Sequence, residues 1–450
     1  MTTFPDGFLF GAATSSFQIE GRSPSIPQGE SIWDTFCAEP GRIADGSNGL
    51  VACDHVHRWA EDVELMRSLG LSTYRFSIAW PKVIPDGRGA VNEAGLDFYD
   101  RLVDGLLAAG IAPVPTLYHW DLPQGLQDRG GWVSRGTAEA FADYAQVVIE
   151  KLGDRVGTWM TLNEPYVSAS HGYVSGEHAP GGTSLSDGLA AAHHLLLGHG
   201  LAMERIRSLA PHADAGIVLN FTPAEAATPA PADVDLTSVT NGWENEWYAQ
   251  PVFHGSYPEA TVDALGWSQS EVHDGDLAVI GAPIDLLGVN FYFRQVVSAV
   301  GQALPFDTPR TDMGWEIHAP SFDRLLHWLH DTHAPPKIVI TENGCAMPDQ
   351  QRVEGRVHDL DRIEYLHDHL AAVHRAIVGG VPVAGYLAWS LLDNFEWALG
   401  YEKRFGIVEV DFETLERTPK SSAIWFADLA RTGTIPPIPD QSHEAVSPRP

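Results

Sequence analysis

Val156-Gly157-Thr158-Trp159-Met160-Thr161-Leu162-Asn163-Glu164-Pro165 reads as a strand that ends on an acid. Pro165 has no amide with which to continue a ladder. Lys337-Ile338-Val339-Ile340-Thr341-Glu342-Asn343-Gly344 repeats the plan: an apolar strand, a terminal acid, then a turn signal at Asn343-Gly344. An acid placed directly after an apolar strand is costly unless something outside the core uses it.

The pattern extends in both directions. Phe8-Leu9-Phe10 opens a first strand that runs on toward Gln18. Asp54 is expected to cap a helix whose apolar face is Val56, Trp59, Val63, Met66 and Leu69, at spacings of three and four, and Gly70 ends it. Further strands are expected at Thr73 to Trp80, Ile111 to Trp120 (despite two prolines), Gly216 to Phe221, Ile284 to Tyr292 and Val383 to Trp389. Between and after them, helices are expected at Asn92 to Ala109, Ala138 to Leu152, Leu185 to Ala210, Asn241 to His254, Phe322 to His330, Leu360 to Val378 and Ser422 to Leu429. Strands that alternate with helices imply a parallel sheet, and eight such units favour a closed barrel over an open sheet. The expected fold class is α/β, a single (β/α)8 TIM barrel over residues 1–434, with no Pro/Gly/Ser-rich linker in its middle. The tail, residues 435–450, carries Pro436, Pro437, Pro439, Pro448 and Pro450 and is expected to be extended or disordered.

Of the 450 residues, 28 are Lys or Arg and 59 are Asp or Glu, a net charge of −31. Such a chain repels nucleic acid and anionic lipid, so neither is expected as a partner, and a neutral or cationic ligand fits better. Cys37, Cys53 and Cys345 are too few and too scattered for a disulfide framework or a four-ligand zinc site. The first residues lack the basic and apolar regions of a leader, and no apolar run reaches the roughly 18 residues of a spanning helix. The expected location is cytoplasmic, and the sequon at Asn220-Phe221-Thr222 carries no weight.

In a (β/α)8 barrel the chemistry sits at the C-terminal ends of the strands. Glu164 and Glu342 both fall there. Two carboxylates on one barrel mouth suit glycoside hydrolysis, in which one acid protonates the leaving oxygen while the other stabilises or attacks the anomeric carbon. For either acid alone, an ordinary loop carboxylate is the simpler reading. The aromatics move the balance: Tyr118-His119-Trp120, Tyr292, Trp315, Trp389 and Phe395-Glu396-Trp397 stand near strand ends, bracketed by polar residues, and sugar rings stack their C–H faces on such rings. Arg75 on a strand could be a structural ion-pair partner, and Tyr292 could be core. His193, His194, His199, His367, His369 and His374 read as helix-surface histidines, because no H-E-x-x-H pattern accompanies them. Cys345 reads as a packed thiol. No metal and no cofactor is expected.

Phe10-Gly11-Ala12-Ala13-Thr14-Ser15-Ser16-Phe17-Gln18-Ile19-Glu20-Gly21, Tyr74-Arg75-Phe76-Ser77-Ile78, Tyr118-His119-Trp120-Asp121-Leu122-Pro123, Thr161-Leu162-Asn163-Glu164-Pro165, Thr341-Glu342-Asn343-Gly344 and Trp389-Ser390-Leu391-Leu392-Asp393-Asn394-Phe395-Glu396-Trp397 together resemble the signatures of glycoside hydrolase family 1. Arg417-Thr418-Pro419-Lys420 adds to the likeness, which runs from about Phe4 to about Leu429. Phe10, Phe17 and Phe291 stand where the family usually has Trp, Tyr and Tyr.

The resemblance implies a retaining β-glucosidase, with side activity on β-galactosides and β-fucosides, acting on small β-glucosides or short oligosaccharides. It implies that Glu342 attacks the anomeric carbon and that Glu164 is acid and then base. Gln18, His119, Trp120, Asn163, Glu396 and Trp397 would hold the non-reducing sugar, with Trp389 as its floor and Phe405 beside it. Trp315 would meet the leaving group, and Arg75 and Tyr292 would steady Glu342. The same residues would serve a transglycosylase, and a non-catalytic sugar-binding barrel would need one acid lost. Family members that bind 6-phosphosugars lack the acid at Glu396 and carry a Ser-Lys and a Tyr downstream. Here Glu402-Lys403 and Phe405 occupy those places, so a plain sugar is expected.

Overall fold

The computed structural model describes residues 2–301 and 307–439. Eight strands, β1 (Leu9–Ala13), β2 (Thr73–Ser77), β3 (Ala112–Tyr118), β4 (Thr158–Asn163), β5 (Asp214–Asn220), β6 (Leu286–Asn290), β7 (Ile338–Asn343) and β8 (Val383–Trp389), close into a parallel barrel. Each pairs with its sequence neighbours, and β1 meets β8 from Leu9 opposite Gly385 to Ala13 opposite Trp389. Outside lie α1 (His55–Ser68), α2 (Glu93–Ala108), α3 (Arg135–Leu152), α4 (Leu185–Leu209), α5 (Trp247–His254), α6 (Ala319–His333), α7 (Leu360–Val378) and α8 (Ser421–Thr432). This is the (β/α)8 architecture.

Two apolar layers follow from the strand period of two. Outward side chains pack under the helices. Inward ones form a small central cluster: Ala13, Val114, Met160, Val218, Leu286, Val339 and Leu387, from every strand except β2. The inward position of β2 is taken instead by Arg75, which is fully buried. The barrel interior therefore contains one cation at its upper layer, and the site is built around it.

Local chemistry explains where elements depart from the sequence reading. β3 contains Pro113 and Pro115 in a central strand. It pairs with β2 from Ala112 onward but with β4 only from Thr116. Amides alternate sides along a strand, so the prolines' missing donors face the edge where pairing has not begun. The second strand stops at Ser77, three residues early, because Trp80–Val83 turns into a short helix with Pro81 in its first turn. Asp54 precedes α1 as expected, but in a left-handed conformation, and its carboxylate takes His57 rather than a helix amide. The histidines of α4 are not on its surface. His193, His194 and His199 are buried, bonded to Tyr257 and Asp276, to the Trp132 carbonyl and to Thr161 respectively. His369 of α7 is buried as well, against the Tyr365 carbonyl, whereas His367 and His374 are half-exposed.

Beyond α8, the Ile435 amide donates to the Thr2 carbonyl and Trp425 Nε1 donates to the Pro437 carbonyl, which hold this part of the proline-rich stretch against the body. Residues 440–450 of the tail lie outside the described residues. Among the described residues no helix is long and apolar enough to cross a membrane.

Barrel closure leaves no room at Gly11 in β1. A Cβ there would stand 2.1 Å from the Thr73 carbonyl oxygen of β2 and 2.8 Å from Leu387 Cδ2 of β8. Gly11→Ala is expected to destabilise the protein by at least about 1–3 kcal/mol, seen as a lower thermal-unfolding midpoint. An unchanged midpoint would mean that the seam can open without cost.

Candidate active site

Every strand end except that of β1 delivers a polar or aromatic group to the barrel mouth. Arg75 Nη1 donates to Glu342 Oε1 at 2.6 Å, Nη2 to Asn163 Oδ1 at 2.7 Å and Nε to Thr116 Oγ1 at 2.9 Å. The other oxygen of Glu342, Oε2, accepts from the Tyr292 hydroxyl at 2.7 Å. Glu342 thus has a charge-assisted donor on one oxygen and a neutral donor on the other.

Glu164 is placed differently. It follows β4 with φ of 48°, a left-handed conformation that a side chain seldom adopts. Its amide donates to the Val218 carbonyl of β5 at 2.9 Å, and Pro165 begins a short helix after it. Its Oε1 accepts from Asn290 Nδ2 at 2.6 Å, with Thr341 Oγ1 holding Asn290 Oδ1 at 2.7 Å. No cation bonds to it among the described residues. Burial, and after it the Glu342 charge, push the Glu164 carboxyl up to about 8. Burial also pushes Glu342 up, but Arg75 and the Tyr292 hydroxyl pull against it. Of the two acids, Glu342 therefore keeps the charge and Glu164 the proton.

Asn163 accepts from both Arg75 and Asn290 on its oxygen, which fixes its amide: Nδ2 must donate to His119 Nε2, at 3.1 Å. His119 Nε2 is then the acceptor of a neutral ring, and burial and Arg75 hold that ring well below its ordinary pKa. Its other nitrogen, Nδ1, carries the hydrogen and has no protein partner. Glu396 Oε2 is likewise buried without a protein partner. Burial, then the Glu342 charge, push its carboxyl up to about 8.

These groups surround one cavity of about 330 Å³. Of the residues named from sequence, Glu164, Glu342, Tyr292, His119, Trp120, Trp315, Trp389, Glu396, Trp397 and Phe405 line it. Arg75 and Asn163 stand behind that lining, joined to it by the bonds above. Gln18 also stands behind. Its Nε2 donates to Asn394 Oδ1 and to the Phe395 carbonyl, both at 2.9 Å, and its Oε1 accepts from Ser15. Gln18 thus fixes the segment that carries Glu396. His119 lies nearly parallel to Trp389 and Trp397, with ring centroids 5.8 and 5.9 Å away.

Sequence reasoning missed Asn290. It closes β6 as Asn163 closes β4, and that parallel was the available signal. It also missed Tyr166, Glu244 and Gln295, which line the cavity from segments added to the barrel. Asn220 of the sequon lines the same cavity. Among the described residues no group of three His, Cys, Asp or Glu side chains is placed to hold a metal ion. Cys345 is buried and its thiol is pushed up to about 12, so it holds no reactive thiolate.

The family model described as glycosyl hydrolase family 1 matches residues 1–434. A β-glucosidase of an Agrobacterium species is 44% identical over 438 residues, which span 95% of each chain. A bifunctional β-D-glucosidase/β-D-fucosidase of Bifidobacterium breve is 44% identical, spanning 94% of this chain and 97% of its own. The solved β-glucosidase of Thermotoga maritima in complex with noeuromycin superposes with a TM-score of 0.92. It is 41% identical, and the match covers 97% of this chain and all of that one.

The unusual protonation of Glu164 has a thermodynamic consequence. The unfolded chain releases this proton at about 4.3, the folded chain at about 8. The folded state is fully favoured below the lower value and loses that advantage as pH climbs to the upper one, by roughly 1.4 kcal/mol per pH unit. Glu164→Gln removes the ionisation, so its unfolding midpoint should rise relative to the parent between pH 5 and pH 8. A difference that is the same at both pH values would contradict the assignment.

Proposed function

The chain belongs to glycosyl hydrolase family 1 and is a retaining β-glucosidase, and we propose that Glu342 is its nucleophile and Glu164 its acid and base. The observation that carries this division is the unequal support of the two carboxylates. The acid bonded to Arg75 and Tyr292 is the one suited to carry charge, and the acid without a cation is the one suited to carry a proton.

In the first step Glu164 gives its proton to the glycosidic oxygen while Glu342 attacks the anomeric carbon, forming a glycosyl-enzyme. Esterification removes the Glu342 charge, the second cause of the raised Glu164 pKa. Glu164 then becomes a stronger acid, and its carboxylate can take a proton from water in the second step. Asn290 holds Glu164 in both steps. The unpartnered His119 Nδ1–H and Glu396 Oε2 form a donor and an acceptor for sugar hydroxyls, with Trp389 as an apolar floor. We read the same pocket as tolerating β-galactosides and β-fucosides, since the hydroxyl changes involved leave the stacking and the two acids untouched. The three unpaired thiols suit a reducing compartment, and we place the enzyme in the cytoplasm.

Glu342→Ala should abolish turnover. Glu164→Ala should slow substrates with poor leaving groups by roughly 10²- to 10⁴-fold, and good ones less. Azide should rescue Glu164→Ala with a β-glycosyl azide product and Glu342→Ala with the α anomer. The reverse pairing would exchange the roles.

The substrate is a plain glucoside rather than its 6-phosphate. Glu396 lines the cavity, and no lysine or arginine does among the described residues. Lys403 Nζ is engaged by the Asp312 carbonyl at 2.9 Å and by its carboxylate at 3.0 Å. Arg404 donates to the Val410 carbonyl and lies over the Phe412 ring. A phosphate beside Glu396 would find no cation among the described lining residues and would require that carboxyl to stay protonated, since an ionised Glu396 would repel it by up to about 4 kcal/mol at 4 Å and an effective dielectric of 20. The value of kcat/KM for an aryl β-glucoside should exceed that for its 6-phosphate, and Glu396→Ser should narrow the gap. A higher value for the phosphate would overturn this reading.

A further inference from the structure

Arg417-Thr418-Pro419-Lys420 holds two cations with different partners. Arg417–Pro419 pairs antiparallel with Val408–Val410, and the Lys420 amide donates to the Ile407 carbonyl at 2.9 Å. Arg417 bonds to Asp62 of α1 at 2.8 Å and to the Cys53 carbonyl at 2.6 Å. Lys420, the residue before α8, is fully buried, and its ammonium takes two carboxylates, Asp393 Oδ1 at 2.8 Å and Asp349 Oδ2. A buried ammonium is costly unless it is paired in this way.

Asp393 connects this pair to the cavity. It stands three residues before Glu396 and four before Trp397. Its Oδ1 also accepts from the Gly406 amide at 2.9 Å, and its own amide donates to the Val408 carbonyl at 3.0 Å. Gly406 directly follows Phe405. One carboxylate thus joins the segment of Glu396 and Trp397 to the segment of Phe405, and all three of those side chains line the cavity. The two segments touch so closely that a Cβ on Gly406 would stand 2.1 Å from the Asp393 amide nitrogen. Burial pushes the Asp393 carboxyl up, and Lys420 is the largest pull against it, so Lys420 favours the ionised acceptor.

Arg362 of α7 extends the cluster. It donates to Asp349 at 2.9 Å, to Asp359, to the Arg404 carbonyl at 2.7 Å and to the Cys345 carbonyl at 3.3 Å. Asp349 therefore bridges Lys420 and Arg362. Asp349, Asp359, Arg362, Asp393 and Lys420 all stand outside the lining of the cavity. Buried ion clusters of this kind add little to stability compared with apolar packing, so the fold alone is a weak reason for this one. Glu396 Oε2 has no protein partner to fix it, and its aim depends on the backbone that carries it.

We propose that Lys420, acting through Asp393, is a positioning residue that sets the place of Glu396 and with it the grip on the hydroxyls of the non-reducing sugar. The inference rests on the β-glucosidase reading and adds to it a residue that does not touch substrate. A displacement of about 1 Å at a group that holds the substrate can cost about 10²-fold in rate.

The test measures kcat/KM for 2,4-dinitrophenyl β-glucoside in the parent, in Lys420→Arg, and in Lys420→Met combined with Asp393→Asn, which leaves neither partner as a lone buried charge. Each is made with Glu396 intact and with Glu396→Ala, and thermal melts are recorded for all. With Glu396 intact, the uncharged pair should lose about 10- to 100-fold, and Lys420→Arg, which keeps the cation, should lose less. In the Glu396→Ala background the same substitutions should cost under about 3-fold, because the group they position is gone. The loss should be equal for the 4-nitrophenyl glucoside, whereas a displaced Glu164 would penalise that poorer leaving group more. No loss, or a loss of the same size in both Glu396 backgrounds, overturns the inference while the β-glucosidase reading stands. Failure of both Lys420 variants to melt cooperatively would make Lys420 a residue of the fold alone and overturn it as well. If the parent cleaves no β-glucoside at all, the β-glucosidase reading is at fault and the inference falls with it.

Discussion

The guanidinium of Arg75 is the constraint on which the barrel mouth depends. A charge buried among inward-facing Ala, Val and Leu side chains would be expensive if left alone. It is satisfied by Thr116 of β3, Asn163 of β4 and Glu342 of β7, so one side chain on β2 ties together four strands. Replacing such a cluster by apolar side chains of similar volume is often neutral or favourable for stability. Its presence is therefore better explained by what it does to Glu342 than by what it does for the fold. It bonds directly to one acid and acts on the other only through space, as a weaker pull than burial and the Glu342 charge.

That asymmetry spreads outward through hydrogen bonds with only one workable orientation. Two donors converge on Asn163 Oδ1, so its amide must face His119, and the histidine must present its N–H to the cavity. Thr341 orients Asn290, so Asn290 must donate to Glu164. The backbone is strained at the same places: Trp120, Glu164 and Trp397 all have positive φ, at 77°, 48° and 49°. Strain of this kind costs of order 1–3 kcal/mol per residue and persists only where the surroundings enforce it. Raised carboxyl pKa values and strained backbone occur together because both are stability given up at the point of use.

Much of this was legible in the sequence, and the limits were physical. The strands could be found because parallel barrel strands are covered on both faces and appear as short apolar runs between turn signals. Glu164 and Glu342 stood out because an acid directly after such a run contradicts its surroundings. Asn290 did not, since a neutral amide at a strand end conflicts with nothing. The α4 histidines were misread for a related reason. Three polar rings suggested a surface, yet Leu195-Leu196-Leu197 sit among them, and a helix apolar on all sides is a buried one. Glu244 and Gln295 were beyond reach, because they come from inserted segments whose position over the barrel follows no sequence period.

The charge of the cavity follows from the same chemistry. Glu164, Glu177, Glu244, Glu342 and Glu396 line it, and the cation that stabilises one of them is held behind the wall. A pocket built in this way offers an anion no lysine or arginine among the described residues of its lining. It suits a neutral polyol, because its carboxyl groups can exchange hydrogen bonds with hydroxyls and its aromatic rings can cover the apolar faces of a sugar. Burial, and after it the Glu342 charge, raises Glu164 and Glu396 and keeps protons in the site at neutral pH. The enclosure that takes these acids out of water is thus also what keeps on Glu164 the proton that cleavage needs.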